Sequence, residues 1–306
     1  MALKIEYEGV DITDTIGVDS VNQPHRCWID QYSEGHADTI KVVFADSEGQ
    51  WDTWHPQSGE KIRIYNDNVD SGIQYVRGVY PAVGKYEIDA ASTPITMESE
   101  RRDSWNEITK LSLANDIASR HKLALKTYGV TDCKFKSLKQ DMENDLSFFE
   151  SLCVLEGDSF LVYNGKLILY SDSYMENQSP SKTIDLSADS KMEYQDEQKI
   201  TALTVTDGST SYTYGGDTSR LEIVKIPIHI DSTGTAERWA KNLHHHINKM
   251  DKSGPFYINP LADGYTAGSI AILKTNRIPS FDGKIFIHHA RHDMINNKTK
   301  VFFRCI

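Results

Sequence analysis

The sequence has no long apolar run: nothing in it approaches the roughly 18 consecutive apolar residues that a membrane helix needs. The N-terminus, MALKIEYEGVD, turns acidic and polar before any signal-like stretch develops, so a soluble, unsecreted product is expected. Cysteine is scarce. Cys27, Cys133, Cys153 and Cys305 lie far apart with no CxxC spacing, which suggests neither a zinc knuckle nor a disulfide framework. Reduced thiols are expected, and Cys153, on the apolar face of a predicted helix, reads as a small hydrophobe rather than a nucleophile. Positive charge is also in deficit. A formal charge of −11 argues against a nucleic-acid binder, whose affinity rests on clustered Lys and Arg. The basic pair Arg101-Arg102 reads as a solvated strand end. No GxSxG, HExxH, P-loop or GxGxxG motif occurs, and no two carboxylates stand out as a glycosidase pair. These absences favour a non-enzyme with no cofactor and no metal.

The chain has 306 residues, 39% of them hydrophobic and 25% charged, which suits a soluble globular protein of two or three domains. Residues 1–103 read as short strands (KIEYEGV, TIKVVFA, EKIRIYN, IQYVRGVY, GKYEIDA) bounded by Gly, Asp, Asn or Pro. The alternation of Lys61, Ile62, Arg63 and Ile64 gives one wet and one buried face, as a small antiparallel barrel or sandwich requires. Residues 104–178 change to an α+β pattern. Thr109 is placed to cap a helix with Leu111, Ala114, Ile117, Ala118 and His121 along one face. A second helix starts at Asn144, turns Leu146, Phe149, Leu152 and Cys153 inward and stops at Gly157. In SFLVYNGKLILY, Asn164-Gly165 separates two apolar runs, the strongest short signal of a hairpin with a type I′ turn. Residues 179–306 return to strands (KITALTVT, SYTYGG, RLEIVKIPIH, GSIAILKT, GKIFIHH, KVFFRCI) around an inserted helix near 236–248. Its buried stripe is expected at Ala236, Trp239, Ala240, Leu243 and Ile247.

Histidine is the first suspect for chemistry, since six of the eleven fall between His244 and His292. On a helix His244, His245 and His246 diverge by about 100°. On a strand His288 and His289 face opposite sides, and His288 and His292 lie about 13 Å apart. A shared metal is therefore not expected. The loop DSEGQWD lacks the ligand spacing of a calcium loop and reads as a turn in which Asp46 and Ser47 bond the local backbone.

Several segments together resemble one family, the phage late-control D proteins, which are baseplate hub subunits of contractile tails. The branch from Gram-positive prophages and phage-tail-like bacteriocins is the nearest. The carrying residues are Ala37-Asp38, then Asp46 to Trp51, then Gly59-Glu60-Lys61-Ile62; the helix from Thr109 to Leu123; Gln140, Asn144, Asp145, Phe148 or Phe149, and Leu152. Further on come AERWAKNLHHHINK, Gly264 to Gly268, Asp282-Gly283-Lys284 and His292. Asn144 stands where the family has serine, and Ile285 where an aromatic is common. The resemblance implies a mainly β chain in which two similar hub- or tube-type β-barrel domains are separated by the small α+β domain. It further implies a homotrimer whose six barrels meet a sixfold tail tube while its threefold axis meets the central spike protein. Other baseplate proteins would be further partners. Such a chain would assemble in the bacterial cytoplasm and end in the baseplate of the released particle, touching no membrane and binding no nucleic acid tightly. It leaves no length for an appended cell-wall hydrolase. Asp46, Trp51, Trp54, Gly59, Asn164, Gly165, Trp239 and His292 are the structural or interface candidates. Trp51 and Trp54 would close a barrel end or make a subunit contact, with packing inside the chain preferred. The alternative is a glycan- or cell-surface-binding tail module that stacks sugars on the same two tryptophans.

Overall fold

The structure, a computed structural model, describes residues 3–16, 21, 23–186, 191–259, 261 and 264–306. In chain order the first part holds β1 (Lys4–Tyr7), β2 (Val10–Asp11), α1 (Thr13–Ile16), β3 (Pro24–Tyr32), β4 (Thr39–Asp46), α2 (Gln50–Trp54), β5 (Lys61–Tyr65), β6 (Gln74–Ala82) and β7 (Gly84–Ala91). The middle holds β8 (Glu100–Thr109), α3 (Lys110–Arg120), β9 (Ala124–Tyr128), β10 (Lys134–Asn144), α4 (Asp145–Glu156), β11 (Asp158–Tyr163), β12 (Lys166–Ser171) and α5 (Asp172–Glu176). The last part holds β13 (Lys182–Asp185), β14 (Gln195–Asp196), β15 (Ala202–Thr206), β16 (Ser211–Tyr214), β17 (Leu221–Lys225), α6 (Thr233–Asn248), β18 (Lys252–Ile258), β19 (Ile270–Lys274), β20 (Gly283–Asp293) and β21 (Lys298–Cys305).

The β-rich ends of the chain join into one sheet, with the path β14-β18-β21-β20-β3-β4-β7-β6-β5-β1-β2 and β19-β13 branching from β20. The seam is the antiparallel pairing of β3 with β20, from His289 opposite Tyr32 to Asp293 opposite Trp28. The path is open, and the pairings among the described residues close no barrel around either end of the chain. β3 was not anticipated from the sequence. It is paired on both edges, and its residues Asp30 and Gln31 meet polar groups of β20 rather than water, so no hydrophobic alternation marks it.

Three apolar cores result. The first gathers Ile5, Val42, Phe44, Trp51, Ile64 and Ile88 inside the first β unit. The last gathers Phe256, Leu273, Phe281, Ile285, Val301 and Phe303. The central one is built on α3 and α4 and recruits Leu203, Val205, Ala236, Trp239 and Ala240. Residues 202–248, which the strand pattern groups with the C-terminal β unit, thus form a separate sheet of β16-β15-β17 whose buried face and α6 pack into the central core. The expected stripe of α6 is shifted: Ala236, Trp239 and Ala240 are buried, but Ile247 is 37% exposed while Asn248 and Lys249 turn inward.

Local signals account for the helix ends. Thr109 accepts from the Ser112 amide at 3.2 Å and Asn144 from that of Ser147 at 2.9 Å. α4 stops at Gly157, whose φ of 71° suits the left-handed turn. Asn164 and Gly165 have φ of 48° and 71°, as a type I′ turn needs. Asp46 anchors α2 by accepting from the amides of Trp51 at 3.0 Å and Asp52 at 3.4 Å. Trp51 is fully buried, stacked 4.4 Å from Phe44 and edge-on to Tyr7 at 5.9 Å, while Trp54 leans on it at 5.2 Å.

Trp51→Ala should cost about 3–5 kcal/mol, read as a fall in denaturant midpoint. Trp51→Phe should cost less, because it also removes a buried indole N–H that has no protein acceptor.

Candidate functional site

The place where the three units meet is charged, not apolar. Its centre is the loop between β3 and β4, residues 33–38. The Ser33 amide and hydroxyl both donate to the His288 carbonyl of β20, at 3.0 and 3.1 Å, and the Tyr170 hydroxyl of β12 donates to the Ser33 carbonyl. The next residue, Glu34, forms an ion pair with Lys249 just past α6 and lies 3.2 Å from the Ser159 hydroxyl oxygen of β11. Gly35 follows with φ of 71°, and a Cβ there would sit 2.9 Å from the Glu150 carboxylate of α4. One short loop therefore touches elements of all three units. The positive φ explains the glycine, since the Glu150 carboxylate is the movable end of a flexible side chain.

The network continues outward. Lys249 also faces Asp172 at 3.5 Å, and Asp172 accepts from Ser159 at 2.6 Å. Glu176 of α5 holds Arg304 of β21 at 2.8 Å and His245 of α6 at 3.1 Å, and its carbonyl accepts from Lys284 of β20. Lys110 pairs with Asp158 where both are almost wholly buried. Burial opposes the charge on Glu176, yet His245 and Arg304 outweigh it and bring its carboxyl down to about 2. For Glu34 burial is likewise overcome by Lys249 and Arg304, so it stays below the usual range. Asp172 goes the other way, raised by burial.

Two further polar clusters support this junction. Inside the central unit Asp145 is fully buried and accepts from His121 at 2.7 Å, Gln140 at 2.9 Å and Arg120 at 3.0 Å. Burial would raise its carboxyl, but these donors hold it at about 2. His121, Gln140 and Asp145 are all residues of the two motif segments of the middle region, and they converge on one carboxylate. At the seam His289 is sandwiched between Tyr32 at 4.2 Å and Phe302 at 4.3 Å and bonds Asp30 at 2.7 Å, which also accepts from Arg291 at 2.8 Å. His292 is buried between Thr299 at 2.9 Å and Gln31 at 3.1 Å.

The residues singled out from the sequence fall into separate places. Asp46, Trp51 and Trp54 lie together at the far end of the first unit, with Trp54 39% exposed. Gly59, φ 94°, donates to the Val76 carbonyl at 2.9 Å and shapes the entry to β5. The Asn164 side chain accepts from the Ile73 amide at 3.0 Å, so the hairpin turn is itself a bridge between the central and first units. Trp239 donates to Glu156 at 2.7 Å inside the central core. His292 belongs to the seam. Glu34, Asp172, Lys249 and Arg304 were missed. A signal for one of them exists: Arg304 interrupts the apolar end of VFFRCI, and an arginine among residues that pair on both sides needs a buried partner. Among the described residues no three His, Cys, Asp or Glu side chains are grouped to hold a metal, and no helix is long and apolar enough to cross a membrane.

No family profile matches the chain, and no curated protein sequence does. Solved structures do match. A tail protein from Neisseria meningitidis aligns over 99% of this chain and 96% of its own, with a TM-score of 0.76 and 13% identity. The 43 kDa tail protein of prophage MuSo2 from Shewanella oneidensis aligns over 99% and 97%, with a TM-score of 0.75 and 10% identity. A component of the E. coli type VI secretion system, described as structurally similar to the phage T4 tail proteins gp27 and gp5, aligns over 98% and 76%, with a TM-score of 0.61 and 10% identity. The chain therefore has the mainly β fold of phage tail proteins. At these identities the likeness establishes the fold.

Lys249→Ala should destabilise the chain by about 3–5 kcal/mol, because it strands Glu34 and Asp172, and Lys249→Met combined with Glu34→Gln should recover part of that loss in the denaturant midpoint. Asp38 gives a pH test. It is buried, with the Tyr32 amide donating to it at 2.7 Å, and burial pushes its carboxyl up to about 7. A carboxyl raised in the folded state favours folding while protonated, so its cost grows as pH climbs from the ordinary carboxylate range through 7. Asp38→Asn should be near neutral at acidic pH and stabilising by roughly 1–3 kcal/mol above about pH 8, seen in melts across that range.

Proposed function

We propose that this protein is a baseplate hub subunit of a contractile phage tail or tail-like bacteriocin, a trimeric adaptor between the sixfold tail tube and the threefold central spike. The observation that carries this reading is alignment along the whole chain, 99% of it, with phage tail proteins of nearly equal extent. Similarity to a type VI component itself likened to gp27 and gp5 supports a place near the spike. The role is that of a scaffold without catalysis, since the charged groups of the junction are engaged with one another rather than aimed at a substrate.

In this reading the chain divides into a first β unit (1–103), a central α+β unit (104–178) and a second β unit (179–306), of which residues 202–248 lean on the centre. Two β units per chain let three chains present six to a sixfold tube, where three single units would leave half the tube's contacts unmatched. Two ends of the large sheet, β2 and β14, are two residues long and carry Asp11 and Asp196, short charged edges of the kind that resist strand addition; β13, at the end of its branch, is a third edge, four residues long. The net charge of −11 per chain suits a channel wall to which a passing polyanion does not adhere.

Light scattering of the purified protein should give about 104 kDa, three times 34.6 kDa. A stable dimer would contradict the threefold reading. Retention on glycan arrays through Trp54, lost in Trp54→Ala, would favour the glycan-binding alternative.

A further inference from the structure

The three apolar cores are separate; the β3–β20 ladder joins the first and last, and the central one meets both through ionised side chains around the loop 33–38 and through the Asn164–Ile73 bond. Two histidines sit in that contact with no assigned part. His246 lies one helical turn before Lys249 on α6. His288 is the extra residue of a β-bulge in β20, between Ile287 and His289, so the ladder does not fix its side chain. Both line a cavity of about 260 Å³ together with Glu34, His36, Glu150 and Lys249. Neither imidazole has a hydrogen-bond partner in the protein among the described residues.

We infer that this junction is an acid-operated hinge: with His246 and His288 neutral it holds the two β units against the central unit, and protonation of the two imidazoles lets the units part. The inference concerns the single chain and does not depend on its place in a tail.

The charges facing the histidines explain why. The carboxylates are already committed: Glu34 to Lys249, Asp172 to Lys249 and Ser159, Glu176 to Arg304 and His245, and Asp158 to Lys110. Glu150, across the cavity on α4, is pushed toward its neutral form by burial. The other charged or titratable neighbours are Lys249 just past α6, His245 on α6, Arg304 on β21, His289 on β20 and His36 on the loop. Glu34 favours a proton on either histidine, but burial and the cations beside it, Lys249 and Arg304, oppose that proton and outweigh Glu34. Asp172 and Glu150, whose carboxyls are raised by burial, act in the opposite sense, since protonating them relieves buried charge in the closed junction, so the opening rests on the two histidines.

Burial foremost, then the cation Lys249 beside it, lowers His246 to about 4 from an ordinary 6.5, and burial lowers His288 equally. The sign follows. A histidine held below its ordinary value binds its proton more readily once the junction opens. The closed state is thus fully favoured above about pH 6.5 and loses ground as pH falls toward 4, by roughly a hundredfold per histidine. The cavity admits the water that delivers the proton.

Amide hydrogen exchange of Ser33, whose amide is held by the His288 carbonyl, and of Ile73, whose amide is held across the junction by Asn164, corrected for intrinsic rate and compared at about pH 7.5 and about pH 4.5, tests this. We expect at least a tenfold acceleration at the lower pH while tryptophan emission, to which the buried Trp51 of the first core and Trp239 of the central one contribute together with Trp28, Trp54 and Trp105, stays native. The double variant His246→Gln/His288→Gln should lose the acceleration, and His288→Lys should show fast exchange already at pH 7.5. Should the double variant fail to fold, each single Gln variant should lose about half of the acceleration on a logarithmic scale. An unchanged exchange rate in the wild type, variants that accelerate like the wild type, or loss of native emission together with loop opening would each overturn the hinge.

Discussion

The ion pair between Glu34 and Lys249 is the contact on which the arrangement of the chain depends. It joins a loop of the first β unit to the end of α6, and α6 is packed into the central core through Trp239 and Ala240. Glu34 also lies beside the Ser159 hydroxyl, while its neighbour Ser33 is clamped between Tyr170 and the backbone of His288. Two other cross-unit contacts flank this point: Asn164 on Ile73 and Arg304 on Glu176. Desolvating two ions cancels much of their attraction, so the pair adds little net stability over an apolar contact of the same size. What it adds is orientation, because a shifted loop would leave a buried carboxylate and a buried ammonium each alone.

That choice fits a scaffold. Within each unit, burial of Trp51, Trp239 or Phe303 supplies stability through close packing, which tolerates no partial displacement. At the junction around loop 33–38 the contacts are charged and directional. The β3–β20 seam repeats the pattern on a smaller scale, where the stacked His289 and the Asp30–Arg291 pair lock the register of two strands that come from opposite ends of the chain. The proposed hub role gives this division a use: rigid β units for the tube and spike, joined by a junction that fixes their relative pose.

The sequence made the local devices legible. Thr109, Asn144, Gly157, Asn164 and Gly165 act where short-range rules place them, because capping and turn chemistry involve only a few neighbouring residues. The burial of Trp239 followed from helical spacing. What escaped depends on distant partners. β3 carries Asp30 and Gln31 inward, and of the charge-rich pair β8 and β10 only a strand end at Arg101-Arg102 is legible, though the two strands pair over most of their lengths. Ile247 fits the apolar stripe of α6 but is exposed, since Asn248 and Lys249 take the inward place to serve Ile200 and Glu34. The bulge at His288 defeats any reading of alternate faces along β20. Glu34 itself, in an ordinary-looking SEGHAD turn, has meaning only beside Lys249, 215 positions later.

The central functional claim is that one chain contributes two β units to a common face of a threefold assembly. A three-dimensional image of the purified oligomer at modest resolution tests it most directly. The account predicts three chains around an axis, with first and second β units alternating on one face and the central units outside them. An assembly of any other order, or a threefold ring in which only one β unit per chain reaches that face, would contradict it.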